Sequence, residues 1–409
     1  MNTLRKEYLT YFDPEKNSNK FYSAELQQED NNYTIIYNWG RIGSKICENK
    51  KVFSNEDYAI KELAKQIASK IKKGYTKKDI VADKKTVNIQ KMNIDNSNLD
   101  KNVATFVKDI YELTNKKLIN YLGIDNNDIQ TPIGNLGENG IKKGRDLLQL
   151  IVNAINNNDN NSIKEYSKEY FKTIPRKMSH KITNEDWILN SDEKINKEME
   201  VLDLYEDALN ILNKKYSSID EQYKNMNCEI KNVTEKQMEY VKDKIAKSHA
   251  NNHNYKLKVL NAFKVNQKNS PEFDDTIGHN VNLFHGTRAE NVLGILSSNL
   301  KLPNSLNGVV KTGAMFGPGL YFANNCTKSA NYSFGYWSNS NFDKAYLLIC
   351  KVALGNVYEV ERAEHFNKAP NGYNSVKGKK GPYLRNNEFI VYNENQVKIE
   401  YIVEIEKQK

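Results

Sequence analysis

Cysteine is scarce in this chain, with four residues among 409, and none of them lies in a C-x-x-C pair. Paired spacings of that kind are typical of zinc sites and of short disulfide frameworks. We therefore expect no zinc site and no disulfide. Free thiols in a reducing compartment are predicted at the four positions, which are Cys47, Cys228, Cys326 and Cys350.

Histidine is also rare, and only one pair has a spacing that metal ligands share. His249 and His253 stand four residues apart, as two ligands on one helix face would. No third ligand accompanies them, and the Asn-rich sequence around them indicates a turn rather than a helix. We predict that the protein uses no metal.

Long apolar stretches are lacking too. No run approaches the roughly 18 apolar residues of a membrane helix. The first twenty residues contain no apolar segment of the secretory type but several charged side chains, including Arg5, Lys6, Asp13, Glu15, Lys16 and Lys20. We expect a protein that is neither secreted nor membrane-bound. A G-x-G-x-x-G segment that opens a βαβ unit is likewise missing, so a dinucleotide site of Rossmann type is not indicated.

Acidic residues are fewer than basic ones. The chain contains 51 Asp and Glu and 60 Lys and Arg residues, which gives a formal net charge of +9. The excess is uneven: +5 over residues 1–85, −4 over 86–240 and +8 over 241–409. Two basic segments therefore flank an acidic one. Basic segments are compatible with binding to a phosphate backbone, although mild positive charge also serves solubility.

The length and composition are those of a globular protein with several domains. A chain of 409 residues with 39% hydrophobic and 27% charged residues exceeds the usual size of a single core. We predict a multidomain α+β protein in four segments: a small β-rich module over 1–85, a polar linker over 86–96, a helical region over 97–218 and an α+β domain over 219–409.

Hydrophobic periodicity supports this division. Two alternating stretches at 20–26 and 33–39 predict strands joined by a polar turn at 27–32, and apolar residues at helical spacing predict a helix over 57–71. Three amphipathic faces predict helices at 103–113, 141–155 and 195–212. In the last segment we predict a helix over 235–248 and strands at 257–265, 345–352 and 396–404.

The densest set of candidate functional residues lies between positions 283 and 332. The stretch L-F-H-G-T-R at 283–288 predicts a strand that ends in His285 and a glycine that lets another group approach the backbone. The stretch M-F-G-P-G-L-Y-F-A at 315–323 predicts a second strand bracketed by glycines. K-S-A-N-Y at 328–332 then begins a helix that carries a hydroxyl and an aromatic ring.

These three motifs, in this order and at these distances, resemble the catalytic domain of the poly(ADP-ribose) polymerase family, the diphtheria-toxin-like branch of ADP-ribosyltransferases. The resemblance implies that NAD⁺ is the substrate and that His285 binds a ribose hydroxyl. It implies further that the backbone of Gly286 and the hydroxyl of Ser329 hold the nicotinamide amide. Tyr321 and Tyr332 would flank the nicotinamide ring, where stacking adds roughly 0.5–1.5 kcal/mol beyond area burial.

A fourth motif, N-N-E-F-I-V-Y at 386–392, resembles the family segment that supplies a catalytic Glu, which implies this role for Glu388. Cleavage between ribose and nicotinamide builds positive charge on the sugar, and a nearby carboxylate stabilises that charge. Lys328 would orient Glu388 through an ion pair. The implied catalytic set is therefore His285, Tyr321, Lys328 and Glu388. In family members that build polymer this last position is Glu, so elongation is favoured.

The first segment resembles the WGR domain, which accompanies these transferases, in the stretch N-W-G-R-I-G at 38–43. The resemblance implies that Trp39 stacks on an exposed DNA end and that Arg41 joins this module to DNA or to the helical region. Lys45 and Tyr75 are further candidates for DNA contact. A plain structural role, with Trp39 as a core aromatic and Arg41 in a surface ion pair, remains the alternative.

The helical segment resembles the family's regulatory domain in P-I-G-N-L at 132–136 and Y-F-K-T-I-P at 170–175. This implies helices that block the NAD⁺ pocket until DNA loosens them; a plain helical bundle is the alternative. One departure concerns the acceptor side. Between 375–378 and Glu388, long family members carry an extended acceptor loop that this chain lacks, which puts polymer length in doubt.

The resemblance as a whole predicts a DNA-break-stimulated NAD⁺ ADP-ribosyltransferase with a WGR module, an all-α regulatory bundle and an α+β transferase domain. It would release nicotinamide, modify proteins including itself, and extend poly(ADP-ribose). The partners would be DNA ends or nicks and protein acceptors, with no membrane. The location would be nuclear in a eukaryote and otherwise cytoplasmic. A transferase that stops at one unit and an inactive scaffold that binds DNA ends remain alternatives.

Overall fold

The computed structural model describes residues 2–78, 94–122, 138–212, 216–250, 252–302, 315–335 and 344–408. The chain divides into two compact units. An N-terminal unit contains residues 1–88, 116–215 and 306–309, and a C-terminal unit contains 89–115, 216–305 and 310–409. The motif at 132–136 and most of the predicted linker at 86–96 lie outside the described residues.

The N-terminal unit begins with an antiparallel sheet and one helix. The elements are β1 (Asn2–Asp13), β2 (Ser18–Glu29), β3 (Asn32–Arg41), β4 (Cys47–Phe53), α1 (Glu56–Lys72) and β5 (Thr76–Lys77). The strand order is β4-β3-β2-β1-β5. Both predicted strands and the predicted helix are present. The predicted turn is shorter than expected, because pairing continues until Glu29 faces Asn32.

Local chemistry explains where α1 starts and ends. The Asn55 side chain caps its first turn by accepting a hydrogen bond from the backbone N–H of Tyr58 at 3.2 Å. The helix stops at Gly74, whose φ of 87° is a left-handed conformation that favours glycine. Its buried face then packs on the sheet and completes a small core, through Ala59, Leu63 and Ile67.

The described remainder of the N-terminal unit is mainly helical. The helices of the central region are α2 (Lys101–Leu122), α3 (Glu138–Asn156), α4 (Asn160–Thr173), α5 (Asn184–Trp187) and α6 (Asp192–Leu212). Helices α3 to α6 enclose one hydrophobic core, and a single residue of the β-rich module enters it. The ring of Phe12 lies 5.8 Å from that of Phe171 and 6.5 Å from that of Trp187, centroid to centroid.

This shared core yields a stability prediction. Because Phe12 is buried among helical side chains, we expect Phe12→Ala to lower the free energy of unfolding of the N-terminal unit by about 3–5 kcal/mol. Urea unfolding followed by circular dichroism would measure it. Val52→Ala is the matched control, because Val52 is 64% exposed. Equal midpoints for the two variants would contradict a shared core.

The C-terminal unit contains two sheets and several helices. Its elements are α7 (Ile219–Asn225), β6 (Cys228–Asn232), α8 (Glu235–Lys247), β7 (Lys256–Gln267), β8 (Asn280–Gly286), α9 (Val292–Ser298), β9 (Leu320–Phe322), α10 (Cys326–Ser333), β10 (Lys344–Ala353), β11 (Val357–Val360), β12 (Ser375–Gly378), β13 (Glu388–Val391) and β14 (Val397–Gln408). One sheet has the order β6-β7-β14-β10-β8, and the other has β11-β12-β13-β9.

The pairing is antiparallel except between β11 and β12, so the unit is an α+β domain with a mixed sheet. The predicted multidomain α+β fold class is confirmed. The helix predicted at 235–248 and the strands predicted at 257–265, 345–352 and 396–404 are present as α8, β7, β10 and β14. Helix α8 begins at a reciprocal cap, in which Thr234 and Gln237 satisfy each other's backbone N–H groups.

The first part of α2 belongs to the C-terminal unit. The ring of Phe106 packs 4.7 Å from that of Phe263 and 5.3 Å from that of Tyr346, centroid to centroid. The Tyr111 hydroxyl donates to the carbonyl oxygen of Gln222 at 2.9 Å. Residues 94–115 therefore share an aromatic core with the α+β domain, although their periodicity alone shows only a helix.

Candidate active site

Two sheets meet where the sequence motifs converge. Phe284 of β8 and Ala323, just after β9, exchange two backbone hydrogen bonds of 2.9 and 3.0 Å. Strand β9 pairs in turn with β13, with Tyr321 opposite Ile390. The end of β8, the strand β9, the helix α10 and the start of β13 thus surround one small region.

His285 lies at the end of β8, next to Gly286, with a partly buried ring and a defined tautomer. Nδ1 lies 2.9 Å from the carbonyl oxygen of Tyr321, which can only accept, so Nδ1 carries the proton. Burial lowers the pKa of the imidazole, and the bond to Tyr321 opposes this shift without cancelling it. The ring is neutral at pH 7 and keeps Nε2 as an acceptor for a hydroxyl donor.

Gly286 lies against the backbone of α10. A Cβ atom at this position would be 1.7 Å from the carbonyl oxygen of Ser329, so no side chain fits. The buried Ser329 hydroxyl donates to the carbonyl oxygen of Phe284 at 3.0 Å, which leaves the hydroxyl oxygen free to accept. The glycine is therefore required by the close packing of β8 against α10.

The two tyrosines of the candidate site differ in how firmly their rings are held by neighbouring groups. The Tyr321 hydroxyl accepts from the Phe316 N–H at 2.9 Å and donates to the Gly317 carbonyl oxygen at 2.7 Å. Tyr332 is 44% exposed. Desolvation raises the pKa of both phenols, and the charge of Glu388 adds to each shift. Tyr321 therefore has a fixed ring plane, whereas Tyr332 presents its ring to solvent.

Glu388 is the first residue of β13, and its carboxylate forms an ion pair with the ammonium group of Lys328 in α10. The distance between Lys328 Nζ and Glu388 Oε1 is 2.6 Å, and the two side chains are only 15% and 10% exposed. Burial lowers the pKa of the Lys328 ammonium, and Glu388 opposes this shift without cancelling it. A carboxylate held in such a dry site can stabilise a developing positive charge far better than one in water.

The sequence reasoning missed three residues that support this region. The Tyr392 hydroxyl donates to the Phe316 carbonyl oxygen at 2.6 Å, and the Asn387 carbonyl oxygen lies 3.5 Å from Lys328 Nζ. Thr327, next to Lys328, is fully buried. Strand alternation could have identified Tyr392, because residues 388, 390 and 392 lie on the same face of a strand. No local sequence pattern distinguishes Asn387 or Thr327.

The segment between β12 and β13 is short and closed on itself. The Gly381 N–H donates to the Leu384 carbonyl oxygen at 2.9 Å, and the Lys380 N–H donates to Asn387 Oδ1 at 2.7 Å. Residues 379–387 therefore form a compact turn directly before Glu388. The acceptor loop, which the sequence predicts to be short, therefore lies at the edge of the candidate site.

Arg41 of the β-rich module makes two hydrogen bonds within the N-terminal unit. Nη1 donates to the Asn17 carbonyl oxygen at 2.9 Å, and Nη2 donates to the Ser179 carbonyl oxygen at 2.6 Å. The guanidinium thus links β3 to the helical part of the unit rather than forming the surface ion pair of the alternative. Trp39, two residues earlier, is half-buried and packs against the module's core.

The other two candidates for DNA contact differ in their surroundings. Lys45 is exposed, as a phosphate ligand would be. Tyr75 packs against the core, with its ring centroid 5.4 Å from that of Tyr11, and burial raises the pKa of its phenol. Lys70 Nζ lies 5.4 Å from the Tyr75 ring centroid. Tyr75 therefore has a packing role that accounts for its position.

In the described parts of the chain, no group of three or more His, Cys, Asp or Glu side chains is arranged to hold a metal ion. His249 and His253 follow α8 and bond to Tyr255 and Thr327 respectively. Among the described helices, none combines the length and apolar character that a membrane crossing requires.

Three family models match the chain in sequence order. The WGR domain matches residues 5–81, the poly(ADP-ribose) polymerase regulatory domain matches 97–227, and the poly(ADP-ribose) polymerase catalytic domain matches 235–383. The catalytic match includes His285, Tyr321 and Lys328 but ends before Glu388. The placement of Glu388 in the site therefore rests on the sequence motif and on its contact with Lys328.

Comparison with curated proteins finds relatives that align with 95% of this chain. Poly [ADP-ribose] polymerase 2-A of Oryza sativa subsp. japonica is 27% identical over 95% of this chain and 68% of the relative. Poly [ADP-ribose] polymerase 2 of Arabidopsis thaliana is 24% identical over 95% and 71%. Poly [ADP-ribose] polymerase 1 of Gallus gallus is 28% identical over 95%, and this chain spans 44% of its length.

Proposed function

The chain belongs to the poly(ADP-ribose) polymerase family, and from this premise we propose that it is a DNA-break-stimulated enzyme that modifies proteins, including itself, and extends poly(ADP-ribose). Its C-terminal domain is an NAD⁺ ADP-ribosyltransferase, and NAD⁺ is its substrate. The stimulus, the acceptors and the product length are the proposed parts. A nuclear location in a eukaryote, or a cytoplasmic one otherwise, belongs to the same proposal.

The observation that carries the catalytic assignment is the Lys328–Glu388 ion pair. Loss of nicotinamide leaves positive charge on the ribose, and the Glu388 carboxylate would stabilise this charge and polarise an incoming hydroxyl. Lys328 holds the carboxylate in one orientation at 2.6 Å. Neutral His285 would offer Nε2 to a ribose hydroxyl, and the backbone of Gly286 would hold the nicotinamide amide.

Two observations bear on the length of the product. A Glu at position 388 favours elongation, because a carboxylate there can activate the hydroxyl of a bound ADP-ribose unit. The compact turn at 379–387 favours the second candidate, a transferase that stops after one unit, because it offers little surface to hold a polymer end. We propose elongation, since the carboxylate acts on the reacting atoms themselves.

Stimulation by DNA would be transmitted through the N-terminal unit. Trp39 and Lys45 lie on the β-rich module, and Arg41 of the same strand region reaches the carbonyl of Ser179 in the helical part. DNA that moves this strand would therefore disturb a direct contact to the helices. A bias of a few kcal/mol between two helical states changes their populations by orders of magnitude.

Incorporation of labelled ADP-ribose from NAD⁺, with and without nicked or blunt duplex DNA, tests the whole proposal. We expect a ladder of products that appears only with DNA. Single-unit labelling would retain the transferase and reject elongation. Labelling that ignores DNA would reject the DNA-sensing role of residues 1–85. No labelling in any condition would favour the inactive scaffold that binds DNA ends.

A variant of the β-rich module separates sensing from catalysis. We expect Trp39→Ala to lose most of the DNA stimulation, because base or sugar stacking on an aromatic ring contributes about 1–3 kcal/mol, while the activity without DNA stays unchanged. Labelling with and without nicked duplex would measure both rates. Tyr58→Ala is the control, because Tyr58 is an exposed aromatic of the same module. A fall in the DNA-independent rate would indicate a core role for Trp39.

A further inference from the structure

A cluster of polar side chains contacts helix α10 on the side opposite the candidate site. The proposed function assigns no role to this cluster. The helix carries Lys328, Ser329 and Tyr332 toward the candidate site. Behind it, and partly or fully buried, lie four polar side chains, which we call the α10 clamp: His253, Tyr255, Thr327 and Asn331. The clamp joins the segment after α8 to the first and last turns of α10.

The clamp is a connected set of hydrogen bonds. The Ala250 N–H donates to Thr327 Oγ1 at 3.1 Å. Four further contacts are His253 Nδ1 to Thr327 Oγ1 at 2.8 Å, His253 Nε2 to the Asn331 amide at 3.3 Å, Tyr255 OH to the Thr327 carbonyl oxygen at 3.0 Å, and Tyr255 OH to the Asn331 amide at 2.6 Å.

These bonds can form with a neutral His253 in either orientation of the Asn331 amide. If the Asn331 amide turns Nδ2 toward the ring, Nε2 accepts and Nδ1–H donates to Thr327. If it turns Oδ1 toward the ring, Nε2–H donates and Nδ1 accepts from the Thr327 hydroxyl. A doubly protonated ring would lose the Asn331 contact in the first arrangement but would keep both partners in the second, because the Thr327 hydroxyl oxygen can accept as well as donate. Burial, with a smaller contribution from His249, lowers the pKa of His253, which favours the neutral ring.

From this geometry we infer that Thr327, with His253, Tyr255 and Asn331, positions Lys328 against Glu388 for the transfer reaction. Thr327 is the central member because its hydroxyl oxygen and its carbonyl oxygen both bond within the clamp, and Lys328 is the next residue. A shift of α10 by a fraction of an ångström would move the ammonium that orients the catalytic carboxylate. This inference rests on the proposed role of the Lys328–Glu388 pair.

Four variants test the clamp. Thr327→Val keeps the shape of the side chain and removes the hydroxyl, whereas Thr327→Ser keeps the hydroxyl. Tyr255→Phe removes only the phenolic bonds. Ser375→Ala is the matched control, because the buried Ser375 hydroxyl donates to the Leu354 carbonyl oxygen at 2.7 Å, on another sheet.

Two measurements on the full-length protein with nicked DNA give the result. Initial rates of nicotinamide release against NAD⁺ concentration yield kcat and KM, and amide hydrogen exchange followed by mass spectrometry reports the opening of α10. We expect Thr327→Val to lower kcat by about 10- to 100-fold with little change in KM, since small misplacements of catalytic groups cost rates of that size. Exchange in α10 should accelerate in the same variant. Thr327→Ser and Ser375→Ala should match the wild type in both readouts.

Each outcome of these measurements either supports or overturns the inference about the α10 clamp. A wild-type kcat and slow α10 exchange in Thr327→Val would overturn the inference. An equal loss of kcat in Ser375→Ala would also overturn it, because a general loss of packing would then explain both. If Thr327→Val fails to fold, Tyr255→Phe decides, with lowered kcat supporting the clamp and wild-type kcat rejecting it. A wild-type protein without any activity would reject the proposed function, while hydrogen exchange would still test whether the clamp holds α10.

Discussion

Glu388→Gln is expected to lower ADP-ribose incorporation by about two to three orders of magnitude and to abolish elongation. The amide has the shape of the carboxylate but no negative charge, so it cannot stabilise the positive ribose or polarise an acceptor hydroxyl. It also breaks the ion pair with Lys328 at 2.6 Å, which leaves a buried ammonium without its counter-charge. NAD⁺ binding should be largely unchanged, because the predicted binding contacts come from His285, Gly286 and Ser329.

The matched control for this prediction is Glu359→Gln. Glu359 also pairs with lysines, Lys377 at 2.7 Å and Lys379 at 3.3 Å, but its side chain is 43% exposed and lies on β11. A surface pair of this kind contributes little, so the control should keep its activity. Labelled NAD⁺ incorporation resolved by product length, together with NAD⁺ titration calorimetry, would measure both effects. Unchanged polymer from Glu388→Gln would remove Glu388 from the catalytic set.

Gly286→Ala is expected to damage both stability and substrate binding. The added Cβ would lie 1.7 Å from the carbonyl oxygen of Ser329 and 2.5 Å from its carbonyl carbon, which are backbone atoms and cannot rotate away. Helix α10 or strand β8 must therefore move. We expect the free energy of unfolding of the C-terminal unit to fall by about 3 kcal/mol, at the upper end of what overpacking costs.

Gly381→Ala is the control for the glycine variant, because a Cβ there would have its nearest neighbour at 3.9 Å, an ordinary contact distance. Urea unfolding should distinguish the two variants by midpoint, and NAD⁺ titration should show lost binding only for Gly286→Ala. The variants Glu388→Gln and Gly286→Ala then separate substrate binding from catalysis: Glu388→Gln should keep NAD⁺ binding and lose transferase activity, whereas Gly286→Ala should lose both. Equal stability of the two glycine variants would contradict the observed backbone contact.

The sequence by itself determined the local elements and the family. Strand alternation at 20–26 and 33–39 and helical spacing at 57–71 and 235–248 each arise within a few residues, because side-chain direction repeats every 2.0 or 3.6 positions. Motifs of five to nine residues likewise identify the catalytic and WGR parts, through their resemblance to known families. The roles carried over from the family to individual residues stay predictions until the variants are measured.

Only the tertiary structure decided which distant groups meet. The family resemblance predicted that Lys328 pairs with Glu388, but strands β10, β11 and β12 separate the two residues, and no local pattern shows that their side chains come to 2.6 Å. The same holds for Phe12 in the helical core, for Phe106 against the sheet of the C-terminal unit, and for the α10 clamp. Contacts of this kind depend on the packing and strand pairing of the whole unit. They therefore leave no periodic pattern in the sequence that could reveal them.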